Sequence, residues 1–142
     1  MTFNSPSAGI SRIAVASFLL LGAIALQAKD VAVKLTGDQE VPPVATAATG
    51  AGTLSIAKDK TVKGSITTTG IQGTVAHIHL AAPGKNGPPI ITLVKSGDNV
   101  WTVPEDAKLS DDQYKSFESG DLYVNVHSDA HKGGEIRTQL KP

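Results

Sequence analysis

All four histidines of this 142-residue chain lie in two short segments, Ala-His-Ile-His-Leu at residues 76–80 and Asn-Val-His-Ser-Asp-Ala-His at residues 125–131. Successive side chains of a β-strand point to opposite faces. If both segments are strands, His77 and His79 share the face opposite the apolar residues of the first segment, and His127 lies on the polar face of the second. The apolar faces must form the core, so these histidines are predicted to point away from it.

A transition-metal site is the chemistry that this spacing favours. Residues i and i+2 of a strand lie roughly 6.5–7 Å apart at Cα, so two imidazoles can bind one ion through metal–nitrogen bonds of about 2 Å. We predict that His77, His79 and His127 bind one ion, with His131 as an optional fourth ligand. Imidazole ligands and the Irving–Williams order favour copper, and zinc is the second choice. The alternative is an ordinary polar face whose histidines form hydrogen bonds only.

The last predicted strand also presents a polar face, which carries Glu135, Arg137 and Gln139. Arg137 could steer an anion or orient Glu135 near the histidines, while a cross-strand ion pair with a carboxylate is the simpler structural interpretation. Glu135 or Asp129 could add an oxygen ligand to the histidines. Serines and threonines are scattered without a partnering histidine and acid, so no catalytic residue is assigned.

Composition excludes several classes of protein. The chain has no cysteine, which excludes disulfides, zinc fingers, thioredoxin-like motifs and cysteine nucleophiles. The 13 basic and 13 acidic side chains balance, which argues against nucleic acid or a polybasic membrane patch. The expected partners are therefore a metal ion and, in the alternative function, another protein.

The N-terminal segment has the layout of a secretory signal peptide. Residues 13–26 form an apolar run that follows a single charged side chain, Arg12, and ends near Ala28. The run is shorter than the about 20 residues that a membrane span needs. We therefore predict a signal peptide at residues 1–28, one domain at residues 29–142, and export to a periplasm or the extracellular space. Whether the signal is cleaved or kept as an anchor stays open.

Alternating and apolar runs predict short strands that are joined by turns. The predicted strands cover residues 31–36, 52–57, 61–69, 74–81, 90–94, 121–127 and 134–140. Residues 97–109 are predicted to be a mostly polar connection. This pattern is typical of an antiparallel β-sandwich with one short connecting helix. The residues predicted to face its core are Val33, Leu35, Leu54, Ile56, Ile66, Ile78, Leu80, Val124, Val126 and Ile136.

The one predicted helix has clear signals at both ends. Ser110 and Gln113 have the spacing of a capping box, and Leu109 and Tyr114 that of a hydrophobic staple. Gly120 provides a C-terminal stop. The helix is short, and we expect it to be a connector that packs on the strands.

Three ordered segments resemble motifs of one family. Leu-Thr-Gly-Asp-Gln-Glu-Val-Pro-Pro-Val at residues 35–44 resembles the opening motif of the CHRD domain, which is named after chordin. His-Ile-His at 77–79, followed by a Gly/Pro-rich loop, resembles its central motif. Tyr-Val-Asn-Val-His at 123–127 and Gly-Gly-Glu-Ile-Arg at 133–137 resemble its closing motif. The likeness spans about residues 30–140, with Lys132 where members often carry proline and Thr138 where glycine is usual.

The resemblance implies an immunoglobulin-like or superoxide-dismutase-like β-sandwich, as found in exported bacterial proteins and in chordin, and implies little about activity. The His-x-His strand is also similar to the copper-binding strand of copper–zinc superoxide dismutases. Their full dinuclear site needs six histidines and an aspartate, more than this chain's four histidines can supply. A mononuclear copper site remains compatible with the residues present.

Three functions follow from these observations. The first is an exported domain that binds a transition-metal ion, with copper favoured. The second is a metal-free module that binds a protein partner, as chordin's membership in the family suggests. The third is a copper-dependent redox enzyme of superoxide-dismutase type, which would need an open coordination position. Bound metal separates the first and third functions from the second, and turnover separates the third from the first.

Overall fold

Eight β-strands and one α-helix follow one another along residues 27–142, which with residues 1–2 are the part described in this computed structural model. The elements are β1 (Ala28–Thr36), β2 (Thr49–Ala57), β3 (Val62–Thr69), β4 (Gly73–Leu80), β5 (Pro89–Gly97), β6 (Val100–Thr102), α1 (Asp111–Glu118), β7 (Leu122–Ser128) and β8 (Ile136–Leu140). Residues 3–26 of the predicted signal peptide lie outside the described part. Among the described residues, no helix has the length and apolar character that a membrane crossing requires.

The strands form one closed antiparallel barrel in the order β1-β2-β3-β6-β5-β4-β7-β8. The prediction of an all-β antiparallel domain with one short helix is confirmed, but the hydrogen bonding closes into a barrel where two separate sheets were expected. Two boundaries are narrow. Strands β1 and β8 meet in the single residue pair Thr36 and Arg137, and β3 and β6 pair over Ser65–Thr67.

The unpredicted strand β6 provides one of these two boundaries. Residues 97–109 were expected to be a polar connection, yet Val100–Thr102 pair with both β3 and β5 and join the two parts of the sheet. Trp101 in the middle of β6 is only 2 % exposed. A strand of three residues is too short to show the alternation of apolar and polar residues that predicts a strand. Its conformation therefore depends on its pairing with β3 and β5.

The barrel interior is the apolar core that alternation predicted. Nine of the ten residues expected to face inward are between 0 and 4 % exposed, and Leu80 is partly buried against them. The helix prediction is also confirmed, because Ser110 and Gln113 form the capping box and Leu109 and Phe117 are buried against the core.

The outer face of the barrel differs between its two sides. On β1, β2 and β3 the outward side chains are mostly exposed, whereas all seven residues of β7 are buried. Two segments lie over β7 and β8: the first covering loop, residues 37–48, and the second covering loop, residues 81–88. Thr46 of the first donates to Glu135 at 2.7 Å, and the Ala81 carbonyl of the second accepts from Gln139 at 2.8 Å.

The covering loops enclose a set of polar side chains that we call the polar layer. Its members are Glu40, His77, His79, Tyr123, Asn125, His127, Glu135 and Arg137.

Candidate metal centre

The register between β4 and β7 brings three histidines together. His77 lies opposite Asn125 and His79 lies opposite Tyr123, so that His127 is two residues beyond Asn125 on the same face. Ile78, between the two histidines of β4, is 1 % exposed in the barrel interior. The prediction that these histidines point away from the apolar core is therefore confirmed. His79 and His127 are nevertheless buried beneath the covering loops, and His77 is half-buried.

The three imidazoles are close enough to share one ion. One ring nitrogen from each of His77, His79 and His127 lies within 4.8 Å of the other two. Nδ1 of His77 is 3.2 Å from Nε2 of His127. Two nitrogens that bind one ion at about 2 Å lie roughly 2.8–3.3 Å apart. The separation of the His77 and His127 nitrogens is thus already that of two ligands of one ion.

Backbone carbonyls fix the protonation of two of the rings. Nδ1 of His79 donates to the Gly87 carbonyl at 2.9 Å, and Nδ1 of His127 donates to the Lys132 carbonyl at 2.8 Å. A carbonyl oxygen only accepts, so in the neutral rings both Nε2 atoms carry a lone pair. Metal-binding histidines almost always donate their other ring nitrogen in this way. Nε2 of His79 is buried and has no partner among the described residues.

The surroundings of His77 and His79 favour their neutral forms. Burial lowers the pKa of His77, and the neighbouring His127 and His79 lower it further. Burial also lowers the pKa of His79, partly opposed by its bond to Gly87 and by the neighbouring Asn125 side chain. A neutral imidazole is the form that binds a metal ion, so these directions keep the ligand nitrogens available near neutral pH.

A stack of three side chains supports the site from one side. The ring of His79 lies parallel to that of Tyr123, with centroids 4.6 Å apart and planes at 4°. The guanidinium of Arg137 lies 3.4 Å from the centroid of the same tyrosine ring. Arg137 also donates to the Lys85 carbonyl at 2.7 Å and to Oδ1 of Asn86 at 3.0 Å. Arg137 therefore ties the second covering loop to the histidine face.

The contacts of Arg137 correspond to none of the three roles expected for it. Among the described residues no carboxylate forms an ion pair with it, and its side chain is 1 % exposed, with donors directed at the covering loop. Glu135 is held elsewhere, where its carboxylate accepts from Thr46 at 2.7 Å and from Ser128 at 2.5 Å.

His131, the predicted optional ligand, is not one of the three clustered histidines. It lies in the turn after β7, where it lines a surface groove with Pro42 and Gly133. The four-residue spacing from His127 allowed a return to the site, but the turn carries His131 toward the first covering loop.

Two buried residues of the polar layer were not among the predicted ligands. Glu40 is 4 % exposed and Asn125 is 1 % exposed, and Oε1 of Glu40 accepts from Nδ2 of Asn125 at 3.4 Å. Burial raises the pKa of Glu40, which the Asn125 hydrogen bond and the charge of Arg137 oppose. Strand parity already placed Asn125 on the face of His127. Glu40 gave no such signal, because it lies in a loop.

Comparison with protein-family models matches residues 31–140 to the CHRD domain. Comparisons with the curated proteins and with the solved structures find no match. The matched range contains the three histidines, both covering loops and all of the strands but the first residues of β1. Because it covers well over half of the sequence, the chain belongs to the CHRD domain family.

Proposed function

We propose that this CHRD-domain protein binds one transition-metal ion, with copper favoured, through His77, His79 and His127. One observation carries the proposal. Nε2 of His79 is a buried lone pair without a donor, and one ring nitrogen of His79 lies within 4.8 Å of a nitrogen of each of the other two histidines.

Hydrogen bonds alone do not account for this arrangement. His77 and His127 can satisfy each other through their 3.2 Å contact, but this leaves Nε2 of His79 unpaired. Leaving one buried acceptor unsatisfied costs about 1–3 kcal/mol. An ion among the three rings would bind all three nitrogens and remove that cost.

The available donors favour copper, with zinc second. The chain has no cysteine, and its one methionine is Met1, so neither thiolate nor thioether joins the histidines. Imidazole donors suit copper, zinc, nickel and iron, and Cu(II) binds most tightly among the divalent ions of this series.

Export is part of the same proposal and is supported by the signal-peptide pattern at residues 1–28. The N-terminal residue of the protein in a cell-envelope fraction tests it. Lys29 as the first residue supports export, and a chain beginning at Met1 in the cytoplasm contradicts it.

Copper titration of the purified, metal-stripped protein tests the metal site. The wild type is expected to bind one Cu(II) per chain. The His77→Ala/His79→Ala variant should bind more than about 100-fold more weakly, because changes to residues that merely support a ligand already cost 10–100-fold. His131→Ala is the matched control, since it removes an imidazole outside the cluster, and its affinity should equal that of the wild type. Binding should weaken below about pH 6 as protons compete for the imidazoles.

Two outcomes would contradict the proposal: a wild type that binds no copper, or a double variant that binds as tightly as the wild type. Absence of binding would favour the metal-free interaction module. If copper binds, turnover of superoxide or peroxide by the loaded protein would distinguish the redox enzyme from a binding protein.

A further inference from the structure

Asn125 lies among the three histidines on the outer face of β4 and β7. It is directly opposite His77, diagonal to His79 and two residues before His127. Directly opposed side chains on one sheet face have Cβ atoms about 4.5–5.5 Å apart, and diagonal ones remain within reach. A ligand that the three histidines bind would therefore lie next to the Asn125 side chain.

The two ends of the Asn125 amide have different surroundings. Nδ2 donates to Oε1 of Glu40 at 3.4 Å and to the Gly133 carbonyl at 3.5 Å. Both partners are acceptors, which favours the orientation with the NH2 group on their side. Oδ1 is buried and has no donor among the described residues.

Asn125 Oδ1 and His79 Nε2 are thus two buried acceptors in one part of the polar layer, each without a donor. Two acceptors cannot satisfy each other, so this space suits either a cation or a water molecule that donates twice. On the basis of the proposed function, we propose that Asn125 Oδ1 is an oxygen ligand of the ion bound by the histidines, and that Glu40 is the positioning residue that directs it there.

Glu40 is suited to position the Asn125 amide because it is itself held in place. It is 4 % exposed, and the first covering loop that carries it is tied to the second by a 2.7 Å hydrogen bond from Asn86 to the Val41 carbonyl. Any side chain at Gly134 would collide with both the Glu40 carboxylate and the Asn125 amide. Packing therefore holds the Glu40 carboxylate, which accepts from the NH2 group, against the Asn125 amide.

An amide oxygen changes the selectivity of the site. Three imidazoles alone bind both oxidation states of copper, whereas soft thiolate and thioether ligands select Cu(I) and carbonyl oxygen is a harder donor. Three nitrogens with one oxygen therefore favour Cu(II) over Cu(I). Loss of Asn125 Oδ1 should weaken Cu(II) binding selectively.

Three proteins test the inference: the wild type, Asn125→Leu and the double variant Glu40→Gln/Asn125→Asp. The leucine has a similar size but no oxygen. The double variant exchanges the donor and acceptor of the contact between positions 40 and 125 and leaves the net charge unchanged, since the amide at position 40 can donate to the carboxylate at position 125. It loses the 3.5 Å bond to the Gly133 carbonyl. Each protein is titrated with Cu(II) and with Cu(I), and the bound Cu(II) is examined by electron paramagnetic resonance.

Asn125→Leu is expected to bind Cu(II) about 10- to 100-fold more weakly with an unchanged Cu(I) affinity. The double variant should bind Cu(II) as the wild type does, with an altered resonance spectrum because a carboxylate replaces an amide oxygen. An identical spectrum in the double variant would overturn the inference even if Asn125→Leu fails to fold.

Equal Cu(II) binding by Asn125→Leu and the wild type would overturn the inference. The amide oxygen would then accept from a water molecule, and the three-histidine site would remain as proposed. Parallel losses of Cu(II) and Cu(I) affinity in Asn125→Leu would make the role of Asn125 structural, which also overturns the inference. A wild type that binds no copper would overturn both this inference and the proposed function.

Discussion

Strands β2 and β7 belong to one antiparallel barrel and contribute to one core, yet their outer faces differ. Along β2, buried Leu54 and Ile56 alternate with more exposed residues such as Thr53 and Ser55. Along β7 every residue is buried, including Asn125 and His127. The difference does not come from the strands themselves. It comes from the two covering loops, which lie over β7 and leave β2 in contact with solvent.

Covering a polar face makes each of its hydrogen bonds more important. A threonine on the outer face of β2 can exchange one water for another, but a polar group under the covering loops needs a protein partner or a ligand. The polar layer meets this requirement at Arg137 and Glu135 and leaves it unmet at His79 and Asn125. Buried polar atoms without a partner therefore indicate a binding site on the covered face, whereas the polar side chains of the open face need only water.

Gly134→Ala should break the covered face with the largest effect. Gly134 has φ of +124°, and an added Cβ would collide with Glu40 and Asn125. Backbone strain and overpacking together predict a loss of about 4 kcal/mol in unfolding free energy, measured in urea. Gly84→Ala is the control, because Gly84 also has positive φ, +74°, but nothing within 4 Å of the added atom. Its cost should be about 1 kcal/mol, and similar costs at both sites would contradict this account.

Arg137→Ala should have the next largest effect. It leaves the Lys85 carbonyl and Asn86 Oδ1 without their charged donor and removes the stack on Tyr123. Hydrogen bonds to charged groups contribute about 1.5–3 kcal/mol each, so the expected loss is about 3 kcal/mol. Lys63→Ala on the exposed face of β3 should change the unfolding free energy by less than about 0.5 kcal/mol. Equal effects at Arg137 and Lys63 would show that the covering loops add little.

The third expected effect is a pH dependence of stability in the metal-free protein. Burial lowers the pKa of His77 and His79 in the folded state, so the unfolded chain takes up protons first as the pH falls. Stability should decrease below about pH 6.5 and level off below the folded pKa values, with a slope of at most about 1.4 kcal/mol per pH unit for each histidine. Glu40, whose raised pKa acts in the opposite direction, is common to the proteins compared.

The measurement is the unfolding free energy between pH 7 and pH 5 with a chelator present, for the wild type and for His77→Ala/His79→Ala. The double variant should show the flatter profile. Parallel profiles would mean that the covered face does not disfavour the charged imidazoles.

Strand parity and helix capping were sufficient for much of this architecture. Alternation around Ile78 gave both the inward position of that residue and the outward position of the two flanking histidines, because the side-chain period of a strand is fixed by the backbone. The capping box of Ser110 is equally local. Features that depend on a few neighbouring residues could therefore be predicted.

Features that depend on distant segments could not. The pairing of β6 with both β3 and β5 leaves no periodic trace in three residues. The return of Glu40 over Asn125, 85 residues along the chain, reflects how the first covering loop packs. Parity placed Arg137 on the outer face, but its solvent exposure was decided by residues 81–88. The face of the strand to which a side chain belongs could be predicted from its neighbours in sequence, whereas the burial of that side chain could not.

The single residue pair that joins β1 to β8 also bears on where the barrel opens locally. Opening fluctuations begin where few hydrogen bonds must break, and the two narrow boundaries separate β1, β2 and β3 from the other five strands. His77, His79 and His127 all belong to the five-strand part, whereas the first covering loop joins β1 to β2. A fluctuation at this boundary would lift Glu40 from Asn125 without displacing the three histidines. The boundary with the fewest paired residues is then also a place where the cover over the histidine cluster can open to admit an ion.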